Sequence, residues 1–497
     1  MTAVEHHRSP RTTPSSTPVD AIGGIVETVR AAYASGVTRP LAWRVSTLRR
    51  LRALLVEREP ELLAALAADL GKPAIEAWVT EIAFCLNEID HTLAHLPGWT
   101  KAVRVATPVT FQPGSSRIVP EPLGVVCVIA PWNYPLQLLV APLAAAVAAG
   151  NAVVAKPSEL APATADALES LLGALNEPAI ATVLGGVPES TELLRQRFDH
   201  LFYTGNATVG RVVMRAAAEH LTPVTLELGG KSPAIVSRHA KLDVAAKRIA
   251  WGRFLNAGQT CIAPDHVLVE REVHDELVRL LVAAVAELYG ADPRSSPDYA
   301  RIVSDAHVQR LQNLLGDGTT VCGGAVDEAD RYIAPTILTG IGRGDACMAE
   351  EIFGPILPVL AVDSLADAVA IVNDGDTPLA LYVFSERDAE VDQVVGGTSS
   401  GGVTVNGTLL HIANPNLPFG GVGPSGTGAY HGRTGFDRLS HRRAVHTRST
   451  RLDPDLLYPP YTATKQKLLR RGMMLPDPRE MPARLLASVR GRRTSRG

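Results

Sequence analysis

The stretch GVVCVIAPWNYPLQLLVAPLAAAVAAGNAVVAKPSE, residues 124–159, contains the order of elements that decides the fold. Its apolar run at 124–130 predicts a buried strand, the Ala- and Leu-rich run at 136–149 a core helix, and residues 152–155 a second strand. No charged residue occurs between 123 and 155, which is long enough for a membrane span. Two prolines interrupt that run, so we interpret it as a buried strand-helix-strand unit.

The same alternation of strands and helices continues along the chain. The first series adds helices at 161–175 and 209–219 and strands at 181–184, 201–203 and 224–226. A second series has helices near 244–255, 274–289 and 304–315 and strands near 266–270, 357–361 and 402–406. Such alternation is typical of doubly wound parallel sheets, so the sequence predicts an α/β protein with a Rossmann-like cofactor domain and a catalytic domain. Residues 41–106 show a helical pattern with a stop at Gly71.

Two strand-like pieces, residues 111–121 and 442–450, fit neither series and could pair as a protruding β-ribbon for oligomerisation. A ribbon has exposed edges, so a second subunit is expected to cover it. The predicted organisation is a disordered lead-in at 1–21, a cofactor domain at 22–106 and 123–227, a catalytic domain at 228–439, a bridging ribbon at 107–122 and 440–452, and a basic tail at 453–497.

Composition limits the classes of function. The 497 residues are 46% hydrophobic and 20% charged, with a net charge of -3, which describes a soluble globular protein with no general attraction to nucleic acid. The expected partner is a small molecule. Five cysteines, an odd number without metal-type spacing, argue against disulfides and zinc and for a reduced compartment. The first 20 residues lack the apolar core of a signal peptide, so a cytoplasmic location is expected.

Cys261 and Glu227 are the candidate nucleophile and base. Cys261 lies in the small and polar segment Gly-Gln-Thr-Cys, where a substrate can reach a thiolate. Cys85 and Cys127 lie in apolar runs, as core cysteines do. The alternative for Cys261 is a buried cysteine that acts as a small apolar side chain. A glycine pair follows Glu227 closely and would let backbone or ligand approach its carboxylate.

A nucleotide site is expected at the carboxyl ends of the first series of strands. Lys156, Ser158 and Glu159 follow directly after one of these strands, where Lys and Glu can bond ribose oxygens. Gly205 and Gly210 surround a helix start, where amide groups can hold an anion. A solvated charge pair is the alternative for Lys156 and Glu159, and the spacing of the two glycines matches neither of the usual phosphate-loop patterns.

Three further segments are candidates for the site. Asn133 is an amide donor on a stiff loop between two prolines, and with the Cys261 amide it could stabilise an oxyanion, although it could also satisfy turn backbone. Glu351 and Phe353 precede a Gly-Pro pair and could contact a ribose and a nicotinamide, with a simple turn as the alternative. A Gly-rich loop at 417–428 suggests a close approach of backbone to a pocket, with a flexible linker as the alternative.

Together, six motifs resemble the aldehyde dehydrogenase superfamily in order and spacing, over about residues 22–451. They are residues 131–133 (PWN), 156–159 (KPSE), 227–231 (ELGGK), 258–261 (GQTC), 351–355 (EIFGP) and 418–421 (PFGG). The segments 67–72 and 425–432 are similar to the class-three branch, which includes fatty, aromatic and coniferyl aldehyde dehydrogenases.

The resemblance implies NAD(P)-dependent oxidation of aldehydes to carboxylic acids. It implies that Cys261 attacks the aldehyde, that Asn133 holds the oxyanion and that Glu227 activates the water that hydrolyses the thioester. It also implies that NAD or NADP is the cofactor and that the chain forms a homodimer. The implied cofactor-binding residues are Trp132, Lys156, Ser158, Glu159, Gly205, Gly210, Leu228, Glu351 and Phe353. No metal is implied.

Two other classes of function stay open for the sequence. A cofactor-independent thiol esterase or acyltransferase would also use Cys261, Glu227 and an oxyanion donor, but it would not explain the ribose and phosphate loops. A silent scaffold protein is disfavoured because Asn133, Glu227 and Cys261 are all present. Between residues 465 and 496, ten Lys and Arg stand against two acids. This basic tail suggests weak peripheral contact with anionic lipid at the inner face of the membrane, with a solvated, disordered tail as the alternative.

Overall fold

A computed structural model describes residues 15–108, 111–453 and 455–474. The chain divides into two compact units. The larger consists of Met1–Pro97 and Pro122–Leu439, and the smaller of Gly98–Glu121 and Ser440–Gly497. Among the described residues, no helix combines the length and the apolar character needed to cross a bilayer.

The strands and helices follow the chain in a fixed order. The strands are β1 (Val103–Val105), β2 (Gly114–Pro122), β3 (Val125–Ile129), β4 (Ala152–Lys156), β5 (Ile180–Thr182), β6 (His200–Thr204), β7 (Val224–Glu227), β8 (Pro233–Val236), β9 (His266–Glu270), β10 (Thr319–Cys322), β11 (Val326–Asp327), β12 (Tyr332–Ile333), β13 (Thr336–Thr339), β14 (Ile356–Val362), β15 (Ala380–Phe384), β16 (Gly402–Val405), β17 (Gly426–Thr427) and β18 (Ser440–Arg448). The helices are α1 (Ile22–Ala34), α2 (Leu41–Glu57), α3 (Glu59–Leu70), α4 (Ala74–Ala77), α5 (Phe84–Trp99), α6 (Gln137–Ala149), α7 (Pro162–Gly173), α8 (Val187–Arg195), α9 (Ala207–Glu219), α10 (Leu242–Phe254), α11 (His274–Tyr289), α12 (Asp305–Gln312), α13 (Ala346–Ala349), α14 (Leu365–Asp374), α15 (Asp388–Gly397), α16 (Gly432–Arg438) and α17 (Ala463–Met473). A π-helical turn at Trp78–Ala83 connects α4 to α5.

A six-stranded sheet forms the first part of the larger unit, in the order β17-β7-β6-β3-β4-β5. Strands β7, β6, β3, β4 and β5 are parallel, and β17 adds an antiparallel edge. Every residue of α6 is buried, so the charge-free run lies in the core and not in a membrane. Residues of α1 pack with Val125 and Cys127 of β3, which places α1 on one face of this sheet.

A seven-stranded sheet forms the second part, in the order β10-β13-β14-β9-β8-β15-β16. The six neighbouring strands β13, β14, β9, β8, β15 and β16 are parallel, and β10 is an antiparallel edge strand. The prediction of two parallel-sheet α/β parts is therefore confirmed, with an antiparallel edge on each sheet as an addition. Strands β8, β13 and β15 of the interior of this sheet, and the edge strand β10, were not predicted.

A three-stranded sheet with the order β1-β2-β18 forms the smaller unit. The two strand-like pieces do pair with one another. The prediction of helix up to residue 106 is wrong beyond Trp99. Residues Val103–Val105 form the strand β1, which pairs with β2. The alternation of Val, Arg and Val explains the difference, since β-branched residues favour a strand.

The predicted disorder of residues 1–21 is wrong for the described part of that segment. Val19–Ala21 forms a helical turn. The Thr17 amide donates to Leu184 O over 3.1 Å, and its hydroxyl oxygen accepts from the Leu184 amide over 2.9 Å. These two hydrogen bonds fix the segment against the loop after β5. Residues 1–14 and, in the basic tail, residues 475–497 lie outside the described residues.

Candidate active site

The carboxyl ends of four neighbouring strands bring several candidate residues to one edge of the six-stranded sheet. Asn133 follows β3, Lys156 ends β4, Gly205 follows β6 and Glu227 ends β7. Ligands of open parallel sheets bind at this edge. The edge therefore carries both the candidate base and the candidate ribose contacts.

The seven-stranded sheet presents the other candidates at the amino ends of its strands. Cys261 precedes β9, Glu351 precedes β14, and Leu228 lies between β7 and β8. A Cβ at Gly229 would overlap the Glu351 carboxylate, so the absence of a side chain there lets the two loops touch. The short connection from β7 to β8 thus brings the two groups of candidates together.

The loop of Cys261 has an unusual backbone. Asn256 and Ala257 have φ of 52° and 51°, and Gly258 follows at 75°. Only glycine fits at position 258 without overlap, because a Cβ there would meet the carbonyl of Gly354. Cys261 itself is partly exposed. Burial of its sulfur, followed by the nearby carboxyls of Glu351 and Glu227, raises the pKa of this thiol above its ordinary value.

Glu227 is 2% exposed, and within the described residues neither carboxylate oxygen has a hydrogen-bond partner. Burial raises the pKa of this carboxyl well above its ordinary value, and the Arg438 guanidinium opposes the shift only in part. Buried oxygens without a hydrogen-bond partner are rare, because they reduce the free energy of unfolding. Such oxygens are expected in a group that hydrogen-bonds water or substrate during a reaction.

Asn133 is buried and lies against the cysteine loop. Its side-chain amide donates to Gln259 O over 3.0 Å, two residues before Cys261. This hydrogen bond uses one of the two N–H groups of the amide and orients the other. The structure therefore brings the predicted oxyanion donor and the predicted nucleophile to adjoining loops.

The Lys156 side chain is buried and already oriented. Its Nζ donates to Pro157 O over 2.8 Å and lies 3.6 Å from a carboxylate oxygen of Glu159. Ser158 is buried, and its hydroxyl oxygen accepts from the Leu160 amide over 3.3 Å. Glu159 remains partly exposed, so its carboxylate is accessible to a ribose. These contacts fit a dinucleotide at the strand ends.

Packing accounts for the two glycines near α9. A Cβ at Gly205 would overlap the hydroxyl of Tyr203, and one at Gly210 would come within 2.9 Å of Leu228. Asn206 caps the helix by accepting from the Val209 amide over 2.9 Å. The first turn of α9, where the pyrophosphate is predicted to bind, is therefore closely packed. Leu228, which follows β7, packs against this turn.

Glu351 and Phe353 lie in a tightly held loop. Phe353 has φ of 48°, and its ring meets Trp132 edge to face at 5.3 Å between centroids. Burial, together with nearby Asp265, raises the pKa of Glu351 to about 8. Lys231 holds the segment before it, with its Nζ donating to Cys347 O over 2.8 Å and Glu350 O over 3.0 Å.

The Gly-rich loop at 417–428 forms a wall beside the candidate base. Its strand β17 pairs Gly426 with Glu227, and the Leu228 amide donates to Ser425 O over 3.1 Å. A side chain at Gly426, where φ is 151°, would overlap Leu226 O. The loop is thus a fixed part of the sheet and not a flexible linker.

Sequence reasoning missed several residues in this region. His307 lies 5.1 Å from Trp132 between ring centroids, and Tyr430 stacks on His431 at 4.0 Å. The Tyr430 hydroxyl is buried without a hydrogen-bond partner among the described residues, and the pKa of Tyr430 is raised by burial and by Glu227 and Cys261. Only the resemblance around residues 425–432 gave a signal for this pair.

The site combines a thiol, a carboxyl and an amide where the strand ends of two parallel sheets meet, with a Lys–Glu pair beside them. These are features of a dehydrogenase. The model of the aldehyde dehydrogenase family matches residues 10–445, and the chain belongs to this family. The predicted class of enzyme, an NAD(P)-dependent aldehyde dehydrogenase, is therefore confirmed. The comparisons give no support to a thiol esterase.

The names of the relatives agree with the class-three branch, and a solved structure shares the fold. Aldehyde dehydrogenase family 3 member A2 of Mus musculus is 48% identical over 440 residues, which are 88% of this chain and 91% of that protein. The dimeric NADP-preferring aldehyde dehydrogenase of Rattus norvegicus is 46% identical, over 87% of this chain and 95% of that protein. The substrate-bound structure of Staphylococcus aureus AldH superposes with a TM-score of 0.89 at 43% identity, covering 90% of this chain and 99% of that one.

The raised pKa of Glu227 predicts how its removal changes stability with pH. A carboxyl whose pKa is higher in the folded state binds more protons there, so its contribution to stability falls as pH rises above its unfolded pKa of about 4.3. Glu227→Gln is expected to raise the melting temperature by a few degrees at pH 8, and by much less at pH 5. Calorimetry across this range measures the difference.

Glu219→Gln, on the exposed end of α9, is the matched control and should show no such pH dependence. A Glu227→Gln variant with the same shift in melting temperature at pH 5 and pH 8 would contradict the prediction.

Proposed function

We propose that this aldehyde dehydrogenase oxidises aldehydes through a covalent bond between the substrate carbon and Cys261. The observation that carries the proposal is the hydrogen bond from the Asn133 amide to Gln259 O, which fixes a donor beside the thiol. Glu227, buried and unpartnered, supplies the second chemical group. NAD or NADP, when bound, accepts the hydride.

Cys261, Asn133 and Glu227 each have one role in the reaction. The Cys261 thiolate adds to the carbonyl carbon, and Asn133 donates to the resulting oxyanion, a contribution of about 3 kcal/mol for one such donor. Loss of hydride from that carbon leaves a thioester on Cys261. Glu227 takes a proton from water as the water adds to the thioester carbon, and Cys261 leaves as a thiolate while the acid forms. The thiolate that began the cycle is thus restored, and one proton leaves through Glu227. The raised pKa of Glu227 means that this carboxyl becomes a base only above its usual range.

The cofactor would lie along the carboxyl ends of β4, β3 and β6. Lys156, Ser158 and Glu159 would hold the adenosine ribose, Gly205 and Gly210 the pyrophosphate, and Glu351 the nicotinamide ribose. Trp132, Leu228 and Phe353 would line the ring. A relative is named as NADP-preferring, and a P. syringae indole-3-acetaldehyde dehydrogenase, 27% identical, is in complex with NAD+. We propose that this chain uses either cofactor.

Removal of the thiol and of the base should have distinct kinetic effects. Cys261→Ala is expected to abolish aldehyde-dependent NADH formation while leaving the dissociation constant of the cofactor unchanged. Glu227→Gln is expected to slow deacylation about 10²-fold or more, because a general base is lost. Stopped-flow absorbance should then show a burst of one NADH per site before slow turnover.

Cys322→Ala, which removes a half-buried cysteine from β10, is the matched control and should keep full activity. Residual activity of Cys261→Ala above a few per cent of the wild-type rate would contradict the covalent route.

We further propose that the chain forms a homodimer through the three-stranded sheet β1-β2-β18, which contains the ribbon. Val103 and Val105 of β1 are 52% and 38% exposed, and most of β18 is exposed. Apolar residues on an exposed strand favour pairing with another chain. The relative in Rattus norvegicus is named as dimeric.

Light scattering during size exclusion is expected to give twice the 52.8 kDa of one chain. Val103→Lys with Val105→Lys should shift the protein toward a monomer, because lysines block edge pairing. A monomeric wild-type chain at micromolar concentration would contradict the proposal.

We also propose a cytoplasmic location, with weak peripheral contact of the tail with anionic lipid. Helix α17 carries Lys465, Lys467, Arg470 and Arg471, and Leu468 and Met473 are more than half exposed. Basic residues with exposed apolar ones favour an anionic bilayer surface.

Co-sedimentation with phosphatidylserine vesicles is expected for the full chain at low salt and not for a chain that ends at residue 464. Neutral phosphatidylcholine vesicles are the control. Binding that survives the deletion would refute this role of the tail.

A further inference from the structure

We propose that Lys72 and Glu81 are positioning residues for the reaction, through a buried ion pair that holds Asn133 beside the loop of Cys261. The inference rests on the proposed roles of Asn133 and Cys261. Lys72 follows α3 directly after Gly71, and Glu81 lies in the π-helical turn at Trp78–Ala83.

The ion pair is completely buried. Lys72 Nζ lies 2.6 Å from Glu81 Oε1, and neither side chain has exposed surface. Desolvation of two charges can exceed their attraction, so a buried pair is weak evidence for stability. The place of this pair in the fold points instead to a task in holding geometry.

Both members of the pair bind the loop between β3 and α6. Lys72 Nζ also donates to Asn133 O over 3.1 Å and lies 4.0 Å from the centre of the Tyr134 ring. Glu81 Oε2 accepts from the amides of Leu136 over 2.9 Å and Gln137 over 3.0 Å. The pair therefore fixes this loop on both sides of Tyr134.

The loop in turn binds the segment before Cys261. The Asn256 side chain donates to the same carbonyl, Asn133 O, over 2.8 Å. The Tyr134 hydroxyl lies 2.7 Å from Thr260 Oγ1. The Asn133 amide donates to Gln259 O. A shift of the loop would thus move the amide relative to the thiol, and a displacement of about 1 Å can slow a reaction 10²-fold.

Neutralising both charges tests the task without leaving one charge buried alone. Lys72→Met with Glu81→Gln is expected to lower kcat for aldehyde oxidation about 10- to 100-fold, because the donor is misplaced. KM for the aldehyde and the dissociation constant for NAD should change less than about 3-fold. Rates are expressed per NAD-binding site, counted by titration with NAD, so partial unfolding does not count as lost activity.

The matched control removes an exposed pair of the same kind. Lys247→Met with Glu287→Gln neutralises an ion pair between α10 and α11 that is more than half exposed. This variant should keep the wild-type kcat. An equal fall of kcat in this control and in the variant of the buried pair would overturn the proposal.

A cycle with Asn133→Ala separates positioning from general structural damage. In the Asn133→Ala background, neutralising the buried pair should lower kcat less than about 2-fold, because the group it positions is absent. The same fold loss in both backgrounds would overturn the inference. If the doubly neutral variant does not fold, Glu81→Asp replaces it, since it keeps the charge and shortens the reach to the Leu136 amide.

Failure of the proposed function gives a different pattern. If Asn133→Ala keeps the wild-type kcat, the proposed role of Asn133 is wrong, and the inference falls with it. If Asn133→Ala slows oxidation and the buried-pair variant does not, only the inference is wrong.

Discussion

The hydrogen bond from the Asn133 amide to Gln259 O connects the two halves of the site, and the rest of the arrangement depends on it. Asn133 follows a strand of the six-stranded sheet, whereas Gln259 precedes a strand of the seven-stranded one. Two sheets built independently would place a thiol and its oxyanion donor with an error larger than the reaction tolerates. A side-chain amide that donates to the other loop sets their separation directly.

Burial gives the acids of this region a common property. The pKa values of Cys261, Glu227 and Glu351 are all raised, first by loss of water and then, for Cys261, by the two carboxyls. Burial disfavours the charged form of all three groups, and nearby carboxyls add to the shift for Cys261 and Glu351. Burial thus favours the neutral form of both the thiol and the carboxyl base.

Local sequence predicted much of this fold because its signals are local. Charge-free strands, the alternation with helices, and a cysteine outside any apolar run need no knowledge of distant residues. The short strand β8, the helix α8 and the pair of Lys72 and Glu81 were missed. In the sequence, Lys72 follows the helix stop at Gly71 and Glu81 lies in a helical pattern, as many exposed charges do. Only the three-dimensional packing shows that both are buried and that Lys72 bonds Asn133 O. Lys156, Glu159, Gly205 and Gly210 were predicted as cofactor residues from their positions after strands, and Trp132 and Leu228 only from the resemblance to the family. Their contacts within the protein depend on packing.

The ribbon has a consequence for synthesis of the chain. Its strands β2 and β18 come from opposite ends of the sequence, and the hydrogen bond between Ser116 and His446 joins residues 330 positions apart. Strand β17, which lies beside Glu227, also belongs to the last part of the chain. A ribosome must therefore release the chain through residue 427 before the six-stranded sheet is complete, and through residue 448 before the three-stranded sheet is complete. Until β18 is made, the edge of β2 that pairs with it is free to pair with another chain, which favours aggregation. A nascent chain that ends before residue 426 also lacks β17, the strand beside Glu227.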